Sequence, residues 1–208
     1  MENDTYFAIC AIIFFDILIS KEHHMYFEGI EENQTRLLII NSLLELLERK
    51  SYSSITINMV VDRVDLGRRT FYRYFKTKDD TMEYITELLM EQFASTVMNN
   101  HASDMKTVTI SYFKFWEQYI DILLLLKKAR VLYFIEENLE SHIINVAKKV
   151  KHVPDNMPAE MLKEMYEKYK YEFSIKLAGF WKATIIWCEE TPRKTPEEMS
   201  KLITELFS

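Results

Sequence analysis

Glycine and proline are scarce in this chain. Only Gly29, Gly67 and Gly179 occur, and the four prolines fall late, in two close pairs, Pro154/Pro158 and Pro192/Pro196. So few breakers, among many Leu, Lys, Glu, Met and Ile, favour an all-α protein over one built from strands and tight turns. Cysteine is nearly absent too. Cys10 and Cys188 make no disulfide framework, and no CxxC or Cys/His spacing points to a metal site, so a reducing, cytoplasmic setting is expected with no metal or cofactor. Long apolar runs are missing as well. The most apolar stretch, residues 7–19, spans thirteen residues and is too short to cross a bilayer as a helix. Acids, Glu2 and Asp4, precede it where a secretory signal carries positive charge. Three readings of residues 1–30 stay open: an extra helix packed on the body, an upstream start with Met25 as the true initiator, or a membrane-surface anchor. There is no glycine-rich phosphate loop, nucleophile elbow or paired His/carboxylate motif, so no catalytic residue is expected and an enzyme is not.

What is present is an ample core and one unusual segment. The 208 residues are 48% hydrophobic, enough for a packed core, and the formal net charge is −6. Within this acidic chain, residues 56–78 read TINMVVDRVDLGRRTFYRYFKTK. Arg63, Arg68, Arg69, Arg73, Lys76 and Lys78 stand there against only Asp62 and Asp65, interleaved with Phe71, Tyr72, Tyr74 and Phe75. A positive island on an acidic body suits a protein with one face for phosphates.

The periodicity around this island is helical. Leu37, Ile40, Leu44 and Leu47 mark one helix over residues 33–50, with Glu45 off their line. Ile57, Val60, Val61 and Val64 mark a second, with Thr56 its expected N-cap. After a break at Asp65–Gly67, residues 68–75 make a third. Phe71 and Phe75, four apart, point into the core and turn Arg68, Arg69, Thr70, Arg73 and Tyr74 outward. Packing of Tyr74 against the first helix, and pairing of the arginines with Asp62, Asp65, Asp79 and Asp80, remain the competing readings. Thr77 is a further N-cap, with Asp79 and Asp80 in the first turn of a fourth helix. Beyond it the spacing predicts helices over 107–128 and 131–150, a loop at 154–158, a long helix over 159–190 with a break near Gly179, and a last helix over 195–207. Pro196 follows Thr195 there, with Glu197 and Glu198 behind it. Three short helices with a tight turn between the second and third are a helix-turn-helix.

At this point the sequence resembles the tetracycline-repressor (TetR) family of regulators. The resemblance lies in Thr56, Val60 with Val61, the small turn, the run Thr70-Phe71-Tyr72-Arg73-Tyr74-Phe75, and Lys78, at the family's spacing without a gap. Leu177-Ala178-Gly179, Trp187 and Pro196-Glu197-Glu198 are similar to the family's C-terminal pattern. The turn departs from it: the family reads Ala-Gly-hydrophobic-Ser where this chain has Val64-Asp65-Leu66-Gly67. The resemblance implies a helix-turn-helix domain over 31–80, after the extension at 1–30, and a helical regulatory and dimerisation domain over 81–208. It implies a homodimer on a palindromic double-stranded operator, acting as a repressor relieved by a small hydrophobic effector. Thr56, Arg68, Arg69, Thr70, Tyr72, Arg73, Tyr74 and Lys78 would form the DNA face, with Tyr72 and Lys78 on phosphates. Trp116, Tyr119, Tyr133, His142, Tyr169, Phe173 and Trp181 would line the effector pocket, or serve only as ordinary core. Trp187, Ile203, Leu206 and Phe207 would anchor the dimer. The alternative is a co-regulator of the same shape that acts through a partner protein.

Overall fold

The computed structural model describes residues 26–27, 33–100, 104–137, 139 and 159–207. Among these, every regular element is helical. The chain divides into two compact units, residues 1–76 and 77–208.

The first unit is built on α1 (Gln34–Leu47), α2 (Ile57–Arg63) and α3 (Arg68–Tyr74), with a short 3-10 turn (Tyr52–Ser54) before α2. Each helix begins where its side chains dictate. Asn33 caps α1 by accepting from the amides of Thr35 and Arg36, and Thr56 caps α2 by accepting from Met59. The core consists of Leu37, Ile39, Ile40, Leu43, Leu44 and Leu47 from α1, with Val60, Val61, Val64, Phe71 and Phe75, all buried. Two polar ties fix α1 to α2. The Ser42 hydroxyl donates to the Val60 carbonyl at 2.7 Å, satisfying both inside the core. Arg63, in the last turn of α2, forms an ion pair with the buried carboxylate of Glu45.

Residues 26–27 also belong to this unit. The Tyr26 amide donates to Asn41 Oδ1 at 2.9 Å, the Tyr26 hydroxyl donates to Glu48 at 2.6 Å, and Phe27 is buried. The run at residues 7–19 lies outside the described residues.

The second unit contains α4 (Lys78–Asn99), α5 (Met105–Gln118), α6 (Ile120–Lys128), α7 (Ala159–Trp187) and α8 (Pro196–Phe207). Reciprocal caps open two of them. The Asp104 side chain accepts from the Thr107 amide while Thr107 Oγ1 accepts from the Asp104 amide. Glu198 donates its amide to Thr195 Oγ1 and accepts the Thr195 amide at 2.7 Å. Rings make the core: Phe93, Tyr112, Phe113, Phe115, Trp116, Phe180 and Trp187 meet mostly edge-on, with centroids 4.7–6.3 Å apart.

Two expectations change. The helix predicted over 107–128 is two helices, turned at Tyr119 (φ −105°, ψ 25°), a break that no proline or glycine announces. Helix α7, in contrast, runs through Gly179 without interruption. A Cβ at Gly179 would meet nothing within 4 Å, so helical packing there does not require glycine. Of the predicted helix over 131–150, residues 133–137 and 139 are helical, 131–132 are not, and the remainder, with the loop at 154–158, lies outside the described residues.

Candidate nucleic-acid interface

The turn before α3 decides how that helix is aimed. Helix α2 ends in a Schellman motif: the Leu66 amide donates to the Val61 carbonyl at 2.9 Å, and Asp65 occupies the left-handed position with φ 50°. Glycine is the usual residue there, and aspartate is among the few others that tolerate it. The family's turn glycine is therefore replaced by Asp65 without loss of the turn. Gly67 then stands at the N-cap of α3 with an extended backbone (φ −84°, ψ 151°) and no side-chain cap. Its carbonyl accepts from the amides of Thr70 and Phe71, so the helix starts on backbone bonds alone.

Helix α3 is only seven residues long, and two phenyl rings set its rotation. Phe71 and Phe75 are 1% and 5% exposed, with centroids 5.9 Å apart. Burying both costs the helix its apolar face and leaves the other to solvent. Arg68, Arg69, Tyr72 and Arg73 are exposed there, and Thr70 and Tyr74 are half-buried. Thr56 is also exposed, at the start of α2.

The electrostatics of this face follow from what the arginines do not touch. Among the described residues, Arg68, Arg69 and Arg73 form no ion pair, whereas Arg63 is committed to Glu45. Two of them neighbour rings: Arg68 lies 5.9 Å from the centroid of Tyr72 and Arg73 lies 4.9 Å from that of Tyr74. Cation–π contact leaves the charge in place, unlike a carboxylate partner. Tyr74 also touches the first helix, since Arg36 lies 5.8 Å from the same ring. Its phenol is held below the usual value of 10.0, first by the Thr35 hydroxyl and then by Arg73 and Asn33. Tyr74 thus both packs on α1 and meets an outward arginine.

Lys78 belongs to the second unit, at the first position of α4. Burial, its largest influence, lowers its ammonium below the usual lysine value. Thr77 caps that helix, accepting from the Asp80 amide at 3.0 Å.

An exposed cationic helix, set behind an αL turn and a Thr-capped helix, has a counterpart among known proteins. Residues 39–85 match the family model described as bacterial regulatory proteins, tetR family. Over this stretch the chain carries a helix-turn-helix domain of the tetR type. The matched stretch spans α2, the Asp65 turn and α3, and ends inside α4. A comparison with curated proteins gives no match.

In the second unit, the residues suggested for an effector are placed unevenly. Trp116, Tyr119 and Trp181 are buried, and the two indoles lie 5.8 Å apart. Trp181 Nε1 donates to Glu136 at 2.8 Å, while the buried Trp116 indole lies against Tyr112 with ring centroids 6.3 Å apart. Tyr133 is apart from them in character: it is 42% exposed and stacked on Phe134. His142 lies outside the described residues, as do the side chains of Tyr169 and Phe173. Tyr112 was not among the sequence candidates. It is buried at the centre of the ring cluster, its hydroxyl 2.8 Å from Thr184 Oγ1, and burial raises its phenol far above the usual value. A partner 72 positions away leaves no periodic trace, so only its aromatic character was legible.

The residues suggested for a dimer also divide. Trp187 and Ile203 are buried within their own unit. Trp187 Nε1 donates to the Lys194 carbonyl at 2.7 Å, and its ring meets Phe113 and the Arg193 guanidinium. Leu206 is 77% exposed, and Ile186 and Leu202 on the same two helices are exposed with it. The Phe207 side chain lies outside the described part. Among the described residues no helix is long and apolar enough to cross a membrane, and no group of three or more His, Cys, Asp or Glu could hold a metal ion.

Proposed function

We propose that this chain reads double-stranded DNA through α3 and regulates transcription as a homodimer on a palindromic site. The observation that carries the reading is the state of Arg68, Arg69 and Arg73: exposed on a helix whose other face is locked by Phe71 and Phe75, and paired with no carboxylate among the described residues. In this reading Arg69 and Arg73 make paired bonds to guanine O6 and N7, and Thr70 meets a thymine methyl or a phosphate. Tyr72, Thr56 and Arg68 donate to phosphates, and Lys78 does the same as family likeness suggests. One seven-residue helix spans few base pairs, so two copies on an inverted repeat supply the rest. Leu206, Ile186 and Leu202 are the exposed apolar side chains we assign to the pairing.

The regulatory half of the proposal is a repressor released by a small apolar effector held among the rings of the second unit. The buried rings of Trp116, Tyr119 and Trp181 support it, because an apolar effector is held by such a lining. The test is selection of bound fragments from genomic DNA, followed by gel-shift titration on the fragments recovered. An inverted repeat, bound saturably against excess random duplex and weakened steeply by salt, is the expected result. A dimer with about six to ten phosphate contacts loses about 10³–10⁵ in affinity from about 50 to 200 mM salt. Recovery of no common sequence would overturn direct operator binding and leave action through a partner protein.

A further inference from the structure

Tyr74 is shared by two helices. The Arg73 guanidinium, from α3, lies 4.9 Å from its ring centroid, and Arg73 Nη2 donates to the phenol oxygen at 3.2 Å. The Arg36 guanidinium, from the first turn of α1, lies 5.8 Å from the same centroid. A cation in a first turn is disfavoured by the helix dipole, and the ring supplies an attraction that works against that cost. Arg73 remains exposed while it is held, and Arg36 is half-buried.

Arginine has many rotamers, and one that is already held surrenders less freedom when it docks. That gain falls unevenly. Paired bonds to a guanine edge demand direction, whereas a phosphate is satisfied by a loose cation. Holding an arginine therefore favours the right sequence over a random one. We propose that Tyr74 is a positioning residue for sequence reading, its ring holding Arg73 and Arg36 as a fixed pair and so adding Arg36 of α1 to the DNA face. The inference rests on the DNA-binding reading above. It goes beyond the motif, because Arg36 precedes the matched residues 39–85.

The test is a double-mutant cycle on the full chain. Its probes are the duplex enriched from a random-sequence library by the wild-type protein and a scrambled duplex of equal length. Tyr74→Leu removes both ring contacts and should lower the ratio of selected to scrambled affinity by about 5- to 10-fold, each guanidinium–ring contact being worth about 2- to 5-fold. Tyr74→Phe keeps the ring and should cost about 2-fold or less. Arg73→Lys and Arg36→Lys, which keep the charge and change only exposed or half-buried tips, should each lower the ratio by about 2- to 5-fold. Each should cost almost nothing further in the Tyr74→Leu background, because the coupling has already gone. The salt slope should stay unchanged throughout, since no charge is removed. Losses that multiply across the cycle would overturn the inference, as would equal losses on both duplexes with a lowered melting temperature. If the wild-type chain enriches no sequence, the DNA-binding reading fails and this one with it. An enriched sequence with multiplying losses sinks the positioning role alone.

Discussion

Helix α3 of the first unit and the capped helices of the second treat their polar groups differently. In the second, helix starts are closed by reciprocal caps at Asp104/Thr107 and Thr195/Glu198, and buried polar groups such as the Tyr112 hydroxyl and the Trp181 N–H find partners. In the first, α3 starts on an uncapped Gly67, follows a non-glycine αL residue, and displays guanidiniums that meet rings rather than carboxylates. Internal satisfaction stabilises a fold; its absence on one short helix leaves chemistry for a partner. The same comparison explains why Arg63 and Arg69, six positions apart, differ in use. One is tied to buried Glu45 and holds α2 to α1, and the other faces solvent.

That contrast can be broken most severely at its foundation. Phe71→Ala should cost about 3–5 kcal/mol of stability and abolish DNA binding, because the ring both fills the core and sets the rotation of α3. Denaturant unfolding followed by gel shift checks it. Arg63→Ala leaves the Glu45 carboxylate buried without its cation and should cost about 2–3 kcal/mol in the same unfolding measurement. An equally cationic but exposed position, Arg68→Ala, should stay within about 0.5 kcal/mol of wild type. Restoring the family's turn residues sharpens the comparison from the other side. Asp65→Gly relieves the left-handed backbone, and Gly67→Ser supplies a cap where an added Cβ meets nothing within 4 Å. Each should raise stability by about 0.5 kcal/mol, read as a higher unfolding midpoint.

The smallest effect concerns the caps of the second unit. The Asp104 carboxyl is held below its ordinary value of 3.8, first by the Thr107 amide and then by the Thr107 hydroxyl. A depressed aspartate stabilises the fold fully above its ordinary value and loses that contribution as pH falls through its folded value. The difference in thermal midpoint between wild type and Asp104→Ala should therefore be constant above about pH 5 and shrink below about pH 4. A gap that persists unchanged to lower pH would remove the charge from the account of that cap.

Much of this was legible in the sequence because it is local. Ile57, Val60, Val61 and Val64 gave the face of α2, Thr56, Thr77 and Thr195 gave helix starts, and Phe71 with Phe75 gave the rotation of α3. What periodicity cannot carry is pairing across distance. Glu45 lies off the apolar line of α1 and reads as a solvated residue, yet it is buried because Arg63 stands 18 positions away. The Tyr112–Thr184 contact was invisible for the same reason, and for Tyr74 the spacing offered the first helix as a partner without naming Arg36. The turn at Tyr119 left no breaker to find. Trp187 and Ile203 illustrate a different limit: an apolar position at helical spacing marks a buried face, and nothing in the spacing says whether its own unit or a second copy covers it.

The most direct measurement is a competition titration at fixed salt, with wild type and Arg69→Ala each binding the selected duplex and a random one. If α3 reads bases, Arg69→Ala loses about 1–3 kcal/mol on the selected duplex, about 5- to 150-fold, with only a few-fold loss on the random one and an unchanged melting temperature. Equal losses on both duplexes would mean that the exposed guanidinium supplies charge alone, and would contradict the account.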